Sequence, residues 1–211
     1  MQIYRHIPNT GLHTPCVLTI GNYDGIHLGH QKLINELLIN SKDSQMESAI
    51  MIFEPHPREF FTPKDAPSRI TSLREKIEYF QFKQIDRVYI VKFNMKFAHM
   101  SGDQFLLKLK NQISAKSILV GEDFRFGKNR ECGISDLLES DIKIIILKEI
   151  KNNKKRVSST HIRDALSSGD LDLANDLLGR YYSISGKVIH GDQRGRVMGF
   201  PTANIHMFHN R

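Results

Sequence analysis

The sequence predicts an α/β fold built around a doubly wound parallel sheet. Apolar segments rich in Ile and Val alternate four times with helical segments, and the apolar segments show little polar alternation. Strands of this kind are typical of a parallel sheet that is buried on both faces. Because helices would cover both faces, we expect a ligand in the crevice at the carboxyl ends of the strands.

The elements follow one another in a regular order. Helices are predicted at 30–40, 71–82 and 101–113, where apolar residues recur at helical spacing. The second helix opens with a capping box, since Glu75 lies three residues after Ser72. The predicted strands are CVLTIGN (16–22), SAIMIFEP (48–55), RVYIVKF (87–93), SILVGEDF (117–124) and IKIIILKEI (142–150).

The pattern changes after residue 157. Two short helices are predicted in VSSTHIRDALSSGD and LDLANDLLG, and Gly179 ends the second. The next segment, YYSISGKVIHG (181–191), is β-rich, and the remainder is rich in glycine. We therefore expect a domain boundary near residue 180, with one domain over 1–180 and a second piece over 181–211. That piece is too short to bury a core of its own.

The composition argues against a membrane protein, a secreted protein and a nucleic-acid-binding protein. Apolar residues make up 40% of the 211 residues, which is enough for a sizeable core. No apolar run reaches about 18 residues, so no membrane partner is expected, and the start does not resemble a signal peptide. Cys16 and Cys132 lie far apart without a CxxC pattern, which indicates reduced thiols and a cytoplasmic location. The net charge of +7 fits either a nucleic acid or a polyanionic small substrate, but no nucleic-acid-binding motif accompanies it, so no nucleic acid is expected.

The segment GNYDGIHLGH (21–30) joins the first strand to the first helix. Gly21 and Gly25 allow a sharp turn and a close approach of the backbone to a ligand. The first N–H groups of the helix carry a partial positive charge and form a ready anion site. Three-residue spacing places His27 and His30 on one side of that site. Two imidazoles there can donate hydrogen bonds to phosphate and stabilise charge on a phosphorus under attack.

Simpler interpretations of this turn remain open. A single histidine at a strand end is more often a capping or packing residue, and HxxH can be half of a metal site. No third metal ligand lies close in sequence, and the glycine-rich turn favours phosphate. The turn is neither a GxxxxGK[ST] loop nor a GxGxxG motif.

A second phosphate cradle is predicted in VSSTHIR (157–163). Ser159 and Thr160 lie at the expected helix N-terminus, and Arg163 follows one turn later. Hydroxyls, free N–H groups and a guanidinium can then face one anion. An isolated SST is more often a plain N-cap, but its occurrence together with HLGH favours binding.

Several motifs carry a resemblance to a known family. TIGNYDGIHLGHQKLI resembles the HxGH motif of nucleotidylyltransferases and, more narrowly, the first motif of bacterial bifunctional riboflavin kinase/FAD synthetases. The resemblance implies a Rossmann-like sheet of nucleotidylyltransferase type, followed by the start of an incomplete β-barrel domain. It also implies transfer of AMP from ATP to FMN, giving FAD and pyrophosphate, with Mg²⁺ as cofactor. Further stretches resemble the same family in the same order, namely IFEPHPREFF (52–61), RITSLREKIEYF (69–80), VGEDFRFGKNRECG (120–133) and 157–205.

The resemblance also implies roles for individual residues. His27, His30 and Arg163 would be catalytic. The residues that would bind ATP or shape its turn are Gly21, Asn22, Tyr23, Asp24, Gly29, Ser159 and Thr160. The residues that would bind the flavin are His56, Asp123, Phe124 and Arg125. Two positions depart from the family pattern, because Tyr23 stands where Phe is common and Cys132 stands where Gly is expected.

The flavin-side residues also have an interpretation of their own. Asp123 and Arg125 follow the fourth strand, where they can pair with a polar ligand, and Phe124 can stack on a flat ring. His56 lies in a loop that prolines stiffen. The alternatives are that the Phe residues pack against the sheet and that EPHPREF is a surface turn.

The last motif, GDQRGRVMGFPTAN (191–204), resembles that of riboflavin kinases. Gly191, Gly195 and Gly199 would let backbone N–H groups approach phosphate, and by resemblance Thr202 and Asn204 would place Mg²⁺ and ATP. A barrel cannot close from its first strands without leaving unpaired edges. We therefore expect no conversion of riboflavin to FMN and poor packing of this segment.

Besides a basic nucleic-acid binder, which rests on the net charge alone, two alternatives to the FMN adenylyltransferase remain open. One is a related cytidylyl- or adenylyltransferase with another acceptor, which only the flavin-side loops would distinguish. The other is a non-catalytic flavin- or nucleotide-binding remnant of the bifunctional enzyme.

Overall fold

A six-stranded parallel sheet forms the centre of the computed structural model, which describes residues 1–9, 14–149, 151–152, 155–191, 194–200 and 202–206. Its strands are β1 (Gln2–Tyr4), β2 (Cys16–Ile20), β3 (Glu47–Glu54), β4 (Arg87–Lys92), β5 (Ala115–Gly121) and β6 (Lys143–Leu147). They stand in the order β1-β4-β3-β2-β5-β6, and each adjacent pair is parallel. The chain winds outward from β2 in both directions, so the topological switch point lies between β2 and β5.

The sheet confirms the predicted α/β class and all five predicted strands. The sequence prediction missed β1, an edge strand of three residues with a mixed polar composition. It also extended β6 too far, because the strand ends at Leu147. Residue 150, at the end of that prediction, lies outside the described residues.

Helices cover both faces of the sheet. On one face Ile34 and Phe80 lie in the same apolar cluster as Val17, and on the other Phe105 lies in the cluster that contains Leu18. Adjacent residues of β2 therefore enter different cores, which explains why the strand shows no polar alternation. The helices are α1 (Leu28–Asp43), α2 (Pro57–Phe61), α3 (Leu73–Phe82), α4 (Met95–Ala98), α5 (Gly102–Asn111), α6 (Ile134–Leu138), α7 (Ser159–Ser167), α8 (Leu171–Leu178) and α9 (Arg194–Val197).

Residues at the helix ends set three of these boundaries. The Oγ of Ser72 accepts from the N–H of Glu75 at 3.2 Å, and the Glu75 carboxylate accepts from the N–H of Ser72, so the predicted capping box is present. Gly179 has a φ of +67° and ends α8 in the left-handed conformation, as predicted. The N-cap of α7 is Ser158, so Ser159 and Thr160 are its first helical residues.

The C-terminal residues form small antiparallel elements. β7 (Lys151–Asn152) pairs with β8 (Lys155–Arg156), and β9 (Lys187–Ile189) pairs with β10 (Asn204–His206). The residues of β9 and β10 are exposed on the described surface. None of the helices within the described ranges combines the length and the apolarity that a membrane crossing requires.

Candidate active site

The turn between β2 and α1 lies at the carboxyl end of a central strand. Because β2 is flanked by β3 and β5, residues 21–27 open onto the crevice at the switch point. Gly25 has a φ of +85°, which glycine adopts without steric cost. Tyr23 is 1% exposed, and its hydroxyl lies 2.8 Å from the hydroxyl of Thr19. Tyr23 therefore shapes the turn by packing beneath it.

His27 and His30 form a stacked pair at the start of α1. His27 is the N-cap, and its Nδ1 accepts a hydrogen bond from the N–H of His30 at 3.3 Å. The centroids of the two rings lie 3.7 Å apart, with 19° between their planes. The three-residue spacing thus brings both imidazoles together at the helix N-terminus.

Burial keeps both imidazoles neutral at pH 7. It lowers the pKa of His27 to about 4, an effect that Asp24 opposes and Arg156 and Arg180 reinforce. Burial also lowers the pKa of His30 well below 6.5, and the charges of His27 and Lys76 add to this. A neutral imidazole has one donor and one acceptor nitrogen. Since Nδ1 of His27 accepts a bond, its Nε2 carries the proton and can donate to a ligand.

Two buried polar atoms of this turn and helix start have no hydrogen-bond partner among the described residues. They are Oδ1 of Asn22 and Nδ1 of His30. Nearly all buried polar groups in proteins are paired, and an unpaired one costs about 1–3 kcal/mol. Their position at the turn marks a place where a polar ligand would satisfy them.

Gly29 leaves room for the ring of His27. A Cβ at this position would lie 3.0 Å from Cε1 and 3.1 Å from Nδ1 of that ring. The same Cβ would be in ordinary contact with the carbonyl oxygen of Val157, at 3.9 Å. A side chain larger than that of glycine between the two histidines would therefore require the ring of His27 to shift.

Asp24 fixes the turn from the side of α3. Its carboxylate is 5% exposed and accepts from the N–H groups of Ile70 and Thr71, both at 3.0 Å. The guanidinium of Arg163 pairs with the same carboxylate and donates to the carbonyl oxygen of Ser68 at 2.6 Å. The structure thus places Asp24 and Arg163 beside the site, but each is held by protein groups. Their direct roles toward ATP stay predictions.

The N-terminus of α7 packs against the same turn. The hydroxyl of Ser159 donates to the carbonyl oxygen of Asp24 at 2.8 Å. The Oγ of Ser158 accepts from the N–H of His161 at 3.3 Å, while Thr160 is exposed. The first turns of α1 and α7 are thereby brought together, and the hydroxyl of Thr160 is available at the surface.

His56 lies at the end of the neighbouring strand β3. It caps α2, since its Nδ1 accepts from the N–H of Arg58 at 3.1 Å. Burial lowers the pKa of His56 to about 4, and the charge of Lys76 acts in the same direction. The structure brings His56 to the same end of the sheet as His27 and His30, as its place after a parallel strand implies.

Asp123, Phe124 and Arg125 occupy the loop after β5. Asp123 forms an ion pair with Arg156, and Nε of Arg125 donates to the carbonyl oxygen of Arg130 at 3.2 Å. Phe124 is partly buried and stacks on Phe126, with 5.8 Å between the centroids. Phe126 belongs to the core, so at least one ring of this loop packs as the alternative interpretation required.

Comparison with protein families shows to which family the chain belongs. A family model described as FAD synthetase matches residues 10–161. The chain belongs to the FAD synthetase family. A second model, described as riboflavin kinase, matches residues 178–211. Both halves of the resemblance derived from the motifs are therefore confirmed.

Relatives agree with this assignment. The bifunctional riboflavin kinase/FMN adenylyltransferase of Buchnera aphidicola subsp. Schizaphis graminum is 40% identical, over 100% of this chain and 70% of the relative. The protein of the same description from Haemophilus influenzae is 39% identical, over 98% and 69%. A crystal structure described as a macrolide-efflux protein from Streptococcus pneumoniae superposes with a TM-score of 0.83 and 28% identity, over 98% of this chain and 69% of that one.

The kinase-like motif of this FAD synthetase family member brings its glycines close to its polar residues. A Cβ on Gly191 would lie 2.3 Å from Nδ2 of Asn204, and one on Gly195 would lie 3.1 Å from Cγ2 of Thr202. Gly199 has a φ of +82°. Thr202 and Asn204 are exposed, and their Mg²⁺ role stays a prediction. Asp192, Gln193 and Pro201 of this motif lie outside the described residues.

Several residues that surround the site were not predicted from the sequence. Phe93 lies within 5.6 Å of the rings of Phe60 and Phe61, beside α2, and Phe61 is 59% exposed. The paired Phe residues in EPHPREFF were the available signal. Arg180 donates to the carbonyl oxygens of Gly25 at 2.9 Å and of Ile26 at 3.2 Å. No local sequence pattern predicts these contacts.

Proposed function

We propose that this protein transfers AMP from ATP to FMN and releases pyrophosphate, which makes it an FMN adenylyltransferase. The stacked His27–His30 pair at the N-terminus of α1 is the observation that carries the proposal. It combines neutral imidazoles, the positive end of a helix and a glycine that leaves room for the ring of His27. This combination suits the phosphates of a nucleotide better than a neutral substrate.

The reaction needs positioning and charge stabilisation rather than a covalent intermediate. A phosphate oxygen of FMN attacks the α-phosphorus of ATP, and the bond from that phosphorus to the oxygen of the β-phosphate breaks. A phosphate monoester is largely a dianion at pH 7, because its second pKa is about 6, so the attack requires no general base. Nε2–H of His27 and the N–H groups at the start of α1 would stabilise the charge that develops.

The turn and α7 would hold the triphosphate. Ser159 is already engaged with Asp24, whereas Thr160 is exposed and can donate to a phosphate oxygen. Arg163 would act mainly through Asp24, which it holds in place. We assign Gly21 and Asn22 to the same binding surface, because Oδ1 of Asn22 lacks a partner among the described residues.

The flavin would lie toward β3 and α2. His56 and the exposed ring of Phe61 lie on that side, and an aromatic side chain offers a stacking surface for a flat ring. Asp123, Phe124 and Arg125 remain candidates on the β5 side. An acceptor other than FMN would have to use the same aromatic surface.

Mg²⁺ is proposed to enter with ATP. The described residues contain no group of three His, Cys, Asp or Glu side chains that could hold a metal ion, so we assign no protein ligands to it in the adenylyltransferase site. When bound, Mg²⁺ would neutralise charge on the triphosphate and on the departing pyrophosphate.

A product assay tests this function. The protein is mixed with FMN, ATP and Mg²⁺, the products are separated by chromatography, and His27→Ala serves as the comparison. We expect FAD and pyrophosphate in equal amounts from the wild type, and a loss of about 100-fold or more in the variant. A folded protein that binds FMN and ATP but forms no FAD would favour the non-catalytic alternative. Parallel reactions with CTP and with riboflavin test the related transferases and the kinase.

A further inference from the structure

Lys76 is a buried cation in α3 that none of the motifs accounts for. It lies one turn after the capping box of Ser72 and Glu75 and is only 5% exposed. Lysine is almost never this buried unless it is paired. Among the described residues, however, Lys76 takes part in no hydrogen bond or ion pair within the usual distances.

The carboxylates near Lys76 are already engaged with arginines. Asp24, Glu54 and Glu59 all act on the charge of Lys76. Arg163 pairs with Asp24, and Arg69 pairs with both Glu54 and Glu59. The ammonium is therefore left without an anion of its own. Burial lowers the pKa of Lys76, which is the consequence of removing an ammonium from water without a partner.

The charge of Lys76 reaches both halves of the proposed site. Its charge acts on His30, at the start of α1 after β2, and on His56, after the neighbouring strand β3. These two histidines belong to the ATP side and the flavin side of the crevice. A cation at this junction is close to where the phosphate of one substrate must approach that of the other.

We propose that Lys76 is a phosphate-binding residue whose ammonium pairs with a phosphate oxygen of FMN or of ATP where the two substrates meet. This inference rests on the proposed adenylyl transfer. A bound phosphate would supply the anion that the protein itself does not, and it would reduce the repulsion between two approaching anions. Lys76 binds and positions its ligand, and it transfers no proton.

The burial of Lys76 should lower the stability of the ligand-free protein. A largely desolvated ammonium without an anionic partner is unfavourable, so a Lys76→Met variant, which keeps the length of the side chain, should be at least as stable as the wild type without ligands. A residue needed only for folding would give the opposite result. Thermal unfolding of the ligand-free proteins separates these roles.

The decisive experiment compares ligands that differ by a phosphate. Dissociation constants for FMN, riboflavin and ATP are measured with the wild type, with Lys76→Met and with Lys42→Met, an exposed lysine in the last turn of α1 that serves as control. A charge-assisted contact predicts a loss of about tenfold or more. If the partner is FMN, its affinity falls while that of riboflavin stays within about twofold. If the partner is ATP, the affinity for ATP falls instead.

Other results would overturn the proposal. Equal weakening of FMN and riboflavin would mean that Lys76 shapes the pocket, and unchanged affinity for FMN and ATP would mean that it binds neither. Should Lys76→Met fail to fold, Lys76→Gln repeats the titrations with a polar head group. The wild type is assayed for FAD formation in parallel. Failure of that assay counts against the proposed function, whereas the titrations report on Lys76 independently.

Discussion

Replacing Asp24 with asparagine would test how the turn before α1 is held. The carboxylate accepts from the N–H groups of Ile70 and Thr71 and pairs with Arg163. Asparagine has nearly the same shape, but it has no charge and only one acceptor atom. Because Oδ1 accepts from both N–H groups, an amide oxygen in its place would leave the NH₂ group facing the guanidinium of Arg163, donor against donor.

The magnitude follows from burial and charge. Removing one partner of a buried ion pair typically costs about 3–5 kcal/mol. The side chain of Arg163 is 19% exposed, so water can partly hydrate the unpaired guanidinium, and we expect the lower end, about 3 kcal/mol. In a protein of this size each kcal/mol lowers the Tm by about 2–4 °C. The Tm of Asp24→Asn should thus fall by about 6–12 °C.

The assay is thermal unfolding followed by circular dichroism, with Asp24→Asn, Arg163→Met and the double variant. The two changes should not add, because they remove the same pair, and the coupling free energy should reach about 1–3 kcal/mol. The KM for ATP should rise as the turn loosens. A Tm change below about 2 °C for Asp24→Asn, or full additivity in the double variant, would refute this account of the turn.

Three further predictions concern the histidine pair. His30→Ala should lower kcat far more than it weakens ATP binding, whereas weaker binding with unchanged turnover would contradict a transition-state role. Gly29→Ala should displace the ring of His27 and lower kcat/KM by about 10-fold or more with little loss of Tm, which steady-state kinetics and thermal unfolding measure together. Urea unfolding should show that the free energy of unfolding falls as the pH drops from 6.5 toward 4. Below 6.5 the unfolded state takes up a proton that folded His27, with a pKa of about 4, resists; the loss should reach about 3 kcal/mol for His27. A flat stability profile over that range would contradict a neutral, buried imidazole.

Local patterns in the sequence predicted most of the sheet and the capped helices. β2 to β6 are apolar runs, and the capping box at Ser72 lies within four residues, so each signal is contained in a short window. β1 was not predicted because three exposed or half-buried residues at a sheet edge show no hydrophobic periodicity. The start of α7 agrees with the prediction, but the capping residue was left open, since SST offers three hydroxyls and only the backbone decides that Ser158 is the cap.

The supports of the site could not be predicted in this way. Asp24 and Arg163 are separated by 139 positions, and no periodicity within either segment specifies that they meet. Lys76 is similar, because a lysine in an amphipathic helix is ordinarily solvated, and its burial becomes visible only when α3 packs against the turn. A motif indicates which residues contact a ligand, whereas the fold determines which residues hold them there.

The contacts of Arg180 bear on how this chain can be divided. Its guanidinium reaches back from just beyond α8 to the carbonyl oxygens of Gly25 and Ile26, on the backbone that carries His27. A fragment that stopped at Gly179 would include every residue assigned to adenylyl transfer, yet it would lack this anchor. Excision of the first domain for expression, or an exchange of the C-terminal part between relatives, should therefore place the junction after residue 180.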